Sequence, residues 1–401
     1  MGPNAANFEE LKQLLPEIQS TMAESGLAGW LLYDLHARNM VAGKLLGMGE
    51  LTRRFFVLLP ARGEPVALIH GIEQAPWACW PWQRRVYVGW RELAEKLRSL
   101  LGGHGRFAME VSERDAVPAL DLVPSGVVEL VRETGADVVS SGELITRFYS
   151  RWRPDDLASH RRAAAVLAQV AHAVMLRLAH AVGAGEWIGE GEVRDWVLAD
   201  LARHGVATEA DCIVARGINA ADPHYAVADG GSVFEPADLV LLDLWAKEST
   251  DSVFADQTWM GYLGAAVPER AAKLFSIIRD ARDAAVDFVS RAFEDGRTVR
   301  GGEVDDIARN LITDRGYGAF FIHRTGHSID RDVHGMGPNI DNLETREVRT
   351  LVPGVAFSIE PGIYIPGDVG LRTEINVHIG ESGPEVTTPG PQREILTLLQ
   401  P

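Results

Sequence analysis

The chain has 401 residues, of which 46% are hydrophobic and 24% charged; this is the composition of an ordinary folded protein, too long for one typical core, so two domains are expected. A formal charge of −17 leaves no basic face of the kind a phosphate backbone needs, so no nucleic-acid partner is expected. Two distant cysteines, Cys79 and Cys212, make neither a disulfide framework nor a thiolate metal site. The first ten residues lack a charged start and an apolar stretch, and no run approaches the roughly 20 apolar residues of a membrane span; the expectation is a cytoplasmic protein with no membrane partner.

In chain order, Leu11, Leu14, Leu15, Ile18 and Met22 recur at helical spacing, and Gly26 closes a helix over 8–25. Short apolar runs at 29–34, 54–59 and 65–70 read as strands, the last two joined by a hairpin-like connection. Residues 91–101 read as a helix ended by Gly102 and Gly103, 106–110 as a strand and 126–133 as a helix. Alternating strands and helices suggest a small α/β domain ending near residue 150. Within it, Trp77, Trp80 and Trp82 crowd into six residues. Two readings stand: indoles packing the domain, or an aromatic wall over a substrate site of a neighbouring subunit. The first is favoured, because aromatic clusters pack more often than they recognise.

Pro154, followed by Asp155 and Asp156, starts a long helix to about 182. Further helices are expected over 190–204, 268–293 and 303–315, with a strand at 211–215. The acids and histidines beyond residue 240 carry more information. Asp243 interrupts the apolar run 239–245, and an unpaired buried carboxylate is expensive. A turn centred on Ser249 and Thr250 would set Asp243 directly opposite Asp256, and two facing carboxylates need a proton or cation between them. Ser358 and Glu360 share one strand face before Pro361 and Gly362 break the run. Over 371–379, alternation puts Arg372, Glu374, Asn376 and His378 on one face. The plain reading of that strand is a half-solvated face with Glu374 salt-bridged to Arg372. His323, His327 and His334 fall within twelve residues, on a strand or bend because Gly326 interrupts them. Four carboxylates and one imidazole suffice for two divalent cations, and such a donor set suits Mn, Co, Fe or Zn.

At these residues the sequence resembles the creatinase/aminopeptidase P/prolidase family of metallopeptidases. The family pattern falls on Asp243, Asp256-Gln257-Thr258, Gly326-His327, Glu360-Pro361-Gly362 and Glu374, and the similarity spans about 154–395. The resemblance implies an α+β fold: a C-terminal pita-bread catalytic domain over 153–401 and a smaller N-terminal α/β creatinase-like domain over 1–152. It implies two metal ions, Mn foremost. Asp243 would chelate one of them, Asp256 and Glu374 would bridge, and His327 with Glu360 would hold the other. The family's outer histidines match His224 and His334, which would hydrogen-bond the substrate carbonyl, while Glu360 would shuttle the proton. His323, Arg372 and Thr258 are supporting or substrate-positioning candidates. The implied activity is cleavage of the amide bond before proline in short peptides, as an Xaa-Pro aminopeptidase or dipeptidase, by a homodimer or larger homo-oligomer. Two departures, a segment about two residues longer between the aspartates and Trp259 in place of an arginine, keep a small non-peptide amide substrate in view. A non-catalytic binding protein is the remaining alternative.

Overall fold

The computed structural model describes residues 5–208 and 211–399; residues 1–4, part of the stretch read for a leader, lie outside them. The chain divides into two compact units, Met1–Tyr149 and Ser150–Pro401.

The first unit is a six-stranded sheet. Its strands are β1 (Gly29–Asp34), β2 (Phe55–Pro60), β3 (Val66–His70), β4 (Gln83–Tyr87), β5 (Gly105–Met109) and β6 (Ala136–Ser140), in the order β4-β3-β2-β1-β5-β6. β1, β2 and β3 pair antiparallel, and the outer pairings are parallel. Five helices accompany it: α1 (Ala5–Glu24), α2 (Met40–Leu46), α3 (Trp90–Leu101), α4 (Ser125–Arg132) and α5 (Gly142–Phe148). Sequence periodicity misses β4, β6, α2 and α5. β4 is a polar edge strand, Gln83-Arg84-Arg85-Val86-Tyr87, so it carries no apolar run to detect. Trp77 and Trp80 are buried, packing against Phe55 and Phe8 with ring centroids 5.1 and 5.2 Å apart. Those two indoles are core of their own unit.

The second unit runs twice through a long helix, a 14-residue helix and a set of strands. The first pass is α6 (Pro154–Gly183), α7 (Glu190–Arg203), β7 (Ile213–Arg216), β8 (Leu239–Ala246) and β9 (Ala255–Tyr262). The second is α8 (Glu269–Glu294), α9 (Gly301–Asp314), β10 (Ala356–Ile359), β11 (Gly362–Ile365), β12 (Val369–Arg372), β13 (Ile375–Gly380), β14 (Gly383–Val386) and β15 (Leu396–Thr397). α6 and α7 bury Leu167, Val170, Val193 and Val197 against Leu242 and Leu244 of β8 and Trp259 of β9. α8 and α9 bury Phe275, Ile278, Val304 and Ala308 with Phe357, Ile359, Ile375 and Val377 of β10 and β13. By length and composition α6 is apolar enough to cross a membrane, contrary to the expectation that no run is; half of its apolar window is buried, and its alanine-rich sequence masks the length of the stretch.

Two sequence expectations about strands fail. β8 and β9 pair with Asp243 opposite Thr258 and Trp245 opposite Asp256, a register two residues away from the one that faces the aspartates directly. The carboxylates are therefore diagonal neighbours on one face, and a hydroxyl stands opposite Asp243, a less repulsive arrangement. The stretch over 371–379 is two strands, not one. β12 pairs with β11 and β13 with β10, and both hairpin arms break at the same level. The ladders share one register across the break, which leaves Glu360 opposite Glu374 at the gap.

His160 of α6 ties the halves' strands together. Its Nδ1 lies 2.7 Å from the Phe254 carbonyl and its Nε2 2.7 Å from Thr387 Oγ1. Burial pushes its pKa down to about 4, so the folded protein holds it neutral. The unfolded chain binds a proton near pH 6.5, which places the stabilisation above that pH and removes it as pH falls towards 4. Urea unfolding at pH 7 and pH 5 is expected to show a loss of about 2 kcal/mol from this residue. That increment should be missing from the pH dependence of His160→Gln.

Candidate metal centre

A cleft of about 620 Å³ opens in the second unit. Asp243, Asp256, His327, Glu360 and Glu374 all line it, as do His224, His323, His334 and Arg372. The first pass supplies the two aspartates on β8 and β9. The second supplies the two glutamates at the strand breaks, where departure from the ladder frees each carboxylate to turn inward.

His327 arrives on irregular chain that runs along the open edge of β10. Its N–H donates to Ser358 Oγ (2.9 Å), the Ser358 N–H donates to its carbonyl (2.8 Å), and the Glu360 N–H donates to the Thr325 carbonyl (2.7 Å). Gly326 permits this approach: a Cβ there would stand 1.9 Å from the Ser358 carbonyl oxygen. His327 Nδ1 faces the Ser328 carbonyl at 3.1 Å and so carries the proton. Its Nε2 is left pointing at Asp256 Oδ2 and Glu360 Oε1, each 3.4 Å away. This is how a metal-ligating imidazole is usually held, with the far nitrogen fixed by a carbonyl.

One atom of each of Asp256, His327 and Glu374 lies within 4.8 Å of the others. Asp256 Oδ1 and Glu374 Oε1 are buried without any hydrogen-bond partner. Orphaned anionic oxygens beside an imidazole nitrogen are what a divalent cation satisfies, and the donor set fits one. Asp243 is engaged differently. Arg372 Nη2 bonds its Oδ2, and the Thr258 hydroxyl lies 3.1 Å from its Oδ1 and 2.8 Å from Glu374 Oε2. Arg372 Nε also reaches Thr258 Oγ1 at 2.9 Å. The expected Glu374–Arg372 salt bridge is thus replaced by an Asp243–Arg372 pair, and this face of β12 and β13 is buried rather than half-solvated.

The electrostatics arise from crowding. Burial raises the pKa of Asp256 and Glu374, and neighbouring carboxylates add to the rise at Glu374. Burial also pushes Asp243 up to about 7, against the pull of Arg372. Burial alone would raise Glu360, but the charges of His327 and Arg372 outweigh it and hold the carboxyl below its ordinary value. His327 moves up: its desolvation is outweighed by the bond to Asp256 and the charge of Glu360. His334, exposed on the cleft lining, stands edge-on to His327 with ring centroids 4.4 Å apart; partial desolvation and the charges of His327 and Arg324 move its pKa down. His323 uses both nitrogens elsewhere, Nδ1 on the Arg324 carbonyl (2.7 Å) and Nε2 on the Tyr364 hydroxyl (2.8 Å). It braces the cleft wall and has no lone pair left for a cation. His224 lies exposed at the mouth, on the loop after β7.

The two departures noted in the sequence face away from the cleft. Trp259 is buried against α6, donates to Gln257 Oε1 (3.0 Å) and meets the His172 ring at 4.7 Å. The longer connection between β8 and β9 packs on the 330–331 segment through Lys247 Nζ to the Arg331 carbonyl and Phe254 N–H to the Asp330 carbonyl.

Two anchors escape sequence reading. Glu190, fully buried at the start of α7, accepts from Arg216 N–H, Asn219 Nδ2, the Tyr225 hydroxyl (2.7 Å) and Ser232 N–H, gathering the loop that carries His224. Asp305 of α9 holds Arg309 in a two-pronged pair and accepts from Thr325 N–H and Oγ1, while Arg309 reaches the carbonyls of Phe321 and His323. An acid in the first turns of a helix ordinarily reads as a cap, which hides both.

The sequence pattern of metallopeptidase family M24 matches residues 158–381. An Xaa-Pro dipeptidase of Lactobacillus delbrueckii subsp. lactis is 38% identical over 181 residues, 43% of each chain, so under half of that relative's length is matched. A probable dipeptidase PepE of Mycobacterium tuberculosis is 27% identical over 395 residues, 96% of each chain. Among solved structures, dipeptidase PepE from Mycobacterium ulcerans superposes with a TM-score of 0.74 at 25% identity, covering 99% of this chain and all of its own.

Mn²⁺ added to chelator-treated protein is expected to raise Tm in a concentration-dependent way, since a cation that binds the folded state alone stabilises it by mass action. His327→Ala and Glu374→Gln should each lose most of that shift in differential scanning fluorimetry. A full shift in both variants would place the cation elsewhere.

Proposed function

The chain belongs to metallopeptidase family M24 and carries its pita-bread fold, and from that premise we propose a dinuclear-metal peptidase that cleaves the amide bond before proline in short peptides. The observation that supports it is the converging donor set, Asp256, His327 and Glu374 with orphaned oxygens, and Asp243 and Glu360 beside them on the same cleft. In this reading Asp243, held by Arg372 and Thr258, would help to hold a second cation. Bound divalent cations, Mn foremost, would polarise the amide carbonyl and bring the attacking water's pKa towards neutrality.

The chain's own residues supply the rest. Glu360 is ionised, keeps 12% of its side chain open to the cleft, and is oriented by the Ser358 hydroxyl at 3.1 Å. It takes the water's proton and returns it to the leaving nitrogen. His334, whose pKa is moved down by desolvation and nearby positive charge, donates an N–H to the carbonyl oxygen as charge builds there; His224, also on the cleft lining, does the same. Arg372 and Thr258 keep Asp243 in place. The features that kept a non-peptide amide in view, Trp259 and the longer connection, do not line the cleft.

Mn-loaded protein is expected to hydrolyse Ala-Pro, Ala-Pro-Ala or both. Glu360→Gln should retain bound metal by elemental analysis and lose turnover by about 10²-fold or more. Full turnover in that variant would remove the proton-shuttle assignment. Inertness of metal-loaded wild type towards both peptides would remove the proline-peptide reading.

A further inference from the structure

Arg282 of α8 is only 2% exposed, yet it carries its charge into the core of the second unit. Its charged partner among the described residues is Asp283, the next residue, whose own side chain is 56% exposed. A guanidinium taken out of water costs free energy, and an apolar side chain of similar volume would fill the space as well or better. The use of the charge lies in its two inward bonds. Nη1 donates to Thr373 Oγ1 (2.8 Å) and to the Gln392 carbonyl (2.9 Å).

Both acceptors belong to the frame of the metal centre. Thr373 stands between Arg372 and Glu374, at the gap where β12 ends and β13 begins. Alternation turns its side chain away from the cleft that Arg372 and Glu374 line. Its N–H reaches the Pro361 carbonyl at 3.3 Å, a long bond. Gln392 clamps β9: its Oε1 accepts from the Met260 N–H (2.9 Å) and its Nε2 donates to the Met260 carbonyl (2.6 Å). Met260 lies two residues past Thr258, whose hydroxyl meets both Asp243 and Glu374. One guanidinium thus ties the strand break that carries Glu374 to the strand that carries Asp256.

Glu374 needs such a tie. One of its oxygens meets only the Thr258 hydroxyl, the other has no partner, and its neighbours include like charges. Its backbone, rather than its side-chain partners, must therefore set its place. We infer that Arg282 is a positioning residue: through Thr373 it holds Glu374 at the distance from Asp256 and His327 that a shared cation requires. The inference rests on the cation-binding reading of the cleft and extends it to a residue that does not line the cleft.

The test titrates Co²⁺ into chelator-treated wild type, Arg282→Met, Thr373→Val and Ile278→Val, below the melting transition of each, and reads the visible absorption of the bound ion. Ile278→Val is the control for a merely structural effect, since it truncates the same helix within the same core. Arg282→Met is expected to weaken Co²⁺ binding by about tenfold to a hundredfold, the usual effect of losing a group that orients a metal ligand, and to change the spectrum. Thr373→Val, which removes the acceptor and keeps the shape, should act in the same direction; it decides the matter if Arg282→Met does not fold. Ile278→Val should lower Tm and leave affinity and spectrum as in wild type. Wild-type affinity and spectrum in Thr373→Val, or an equal loss in Ile278→Val, overturns the inference while leaving the metal centre intact. Co²⁺ binding that survives His327→Ala undiminished removes the metal centre, and the inference with it.

Discussion

Four carboxylates share one buried cleft floor, and the chain offers little to neutralise them. Asp243, Asp256 and Glu374 are each at most 7% exposed. Arg372 compensates Asp243; His327, when protonated, leans on Asp256 and Glu360. Glu374 has a threonine hydroxyl and an orphaned oxygen. Anions are tolerated in such a place when a cation or a proton joins them, and burial moves the Asp243, Asp256 and Glu374 pKa values upward. Most other features around the cleft serve to keep these groups in place despite their repulsion.

The means of doing so are repeated. In each pass of the second unit, the long helix and its shorter partner cover a strand pair, and that pair delivers two carboxylates. In the first pass a continuous hairpin suffices, because Asp243 and Asp256 lie on one face. In the second, both arms break, so that Glu360 and Glu374 oppose each other across a gap in the ladder. The short helices add a further carboxylate each, away from the cleft floor. Glu190 of α7 and Asp305 of α9 are fully buried and spend their oxygens on loop backbone, so each fixes a histidine-bearing loop without adding charge to the site.

How much of this was legible depends on what kind of signal each residue leaves. Asp243 and Glu360 stand out because charge interrupts an apolar run, and His327 because three imidazoles crowd around a glycine. Ser358 is readable as Glu360's neighbour from alternation alone. The register of β8 and β9 is not, since it turns on where an eight-residue connection bends, and shifting the turn centre by one residue moves the pairing by two. The break at Glu374 is hidden because the alternation runs through it unbroken; only the change of partner strand reveals it. Trp259 occupies a position next to the site in sequence and on the other side of the sheet in space, a distinction that a period of two should have supplied. The anchors Glu190 and Asp305 leave no local signal, because the loop backbone they hold is 20 to 42 residues away.

The histidines illustrate the last step, from arrangement to chemistry. Four imidazoles lie at or near the cleft, and their surroundings give them different tasks. His327 has a proton fixed on Nδ1 by a carbonyl and faces carboxylates with Nε2, so it is a ligand. His323 has both nitrogens bonded and is a brace for Tyr364 and the Arg324 backbone. His334 is exposed on the cleft lining beside His327; partial desolvation and the neighbouring charges of His327 and Arg324 move its pKa down, so a neutral ring is available to donate to a developing oxyanion. His224 rides on the loop that Glu190 ties down. One residue type thus fills four roles. The division comes from hydrogen bonds to backbone carbonyls and from degrees of burial, neither of which is visible in the spacing of the histidines themselves.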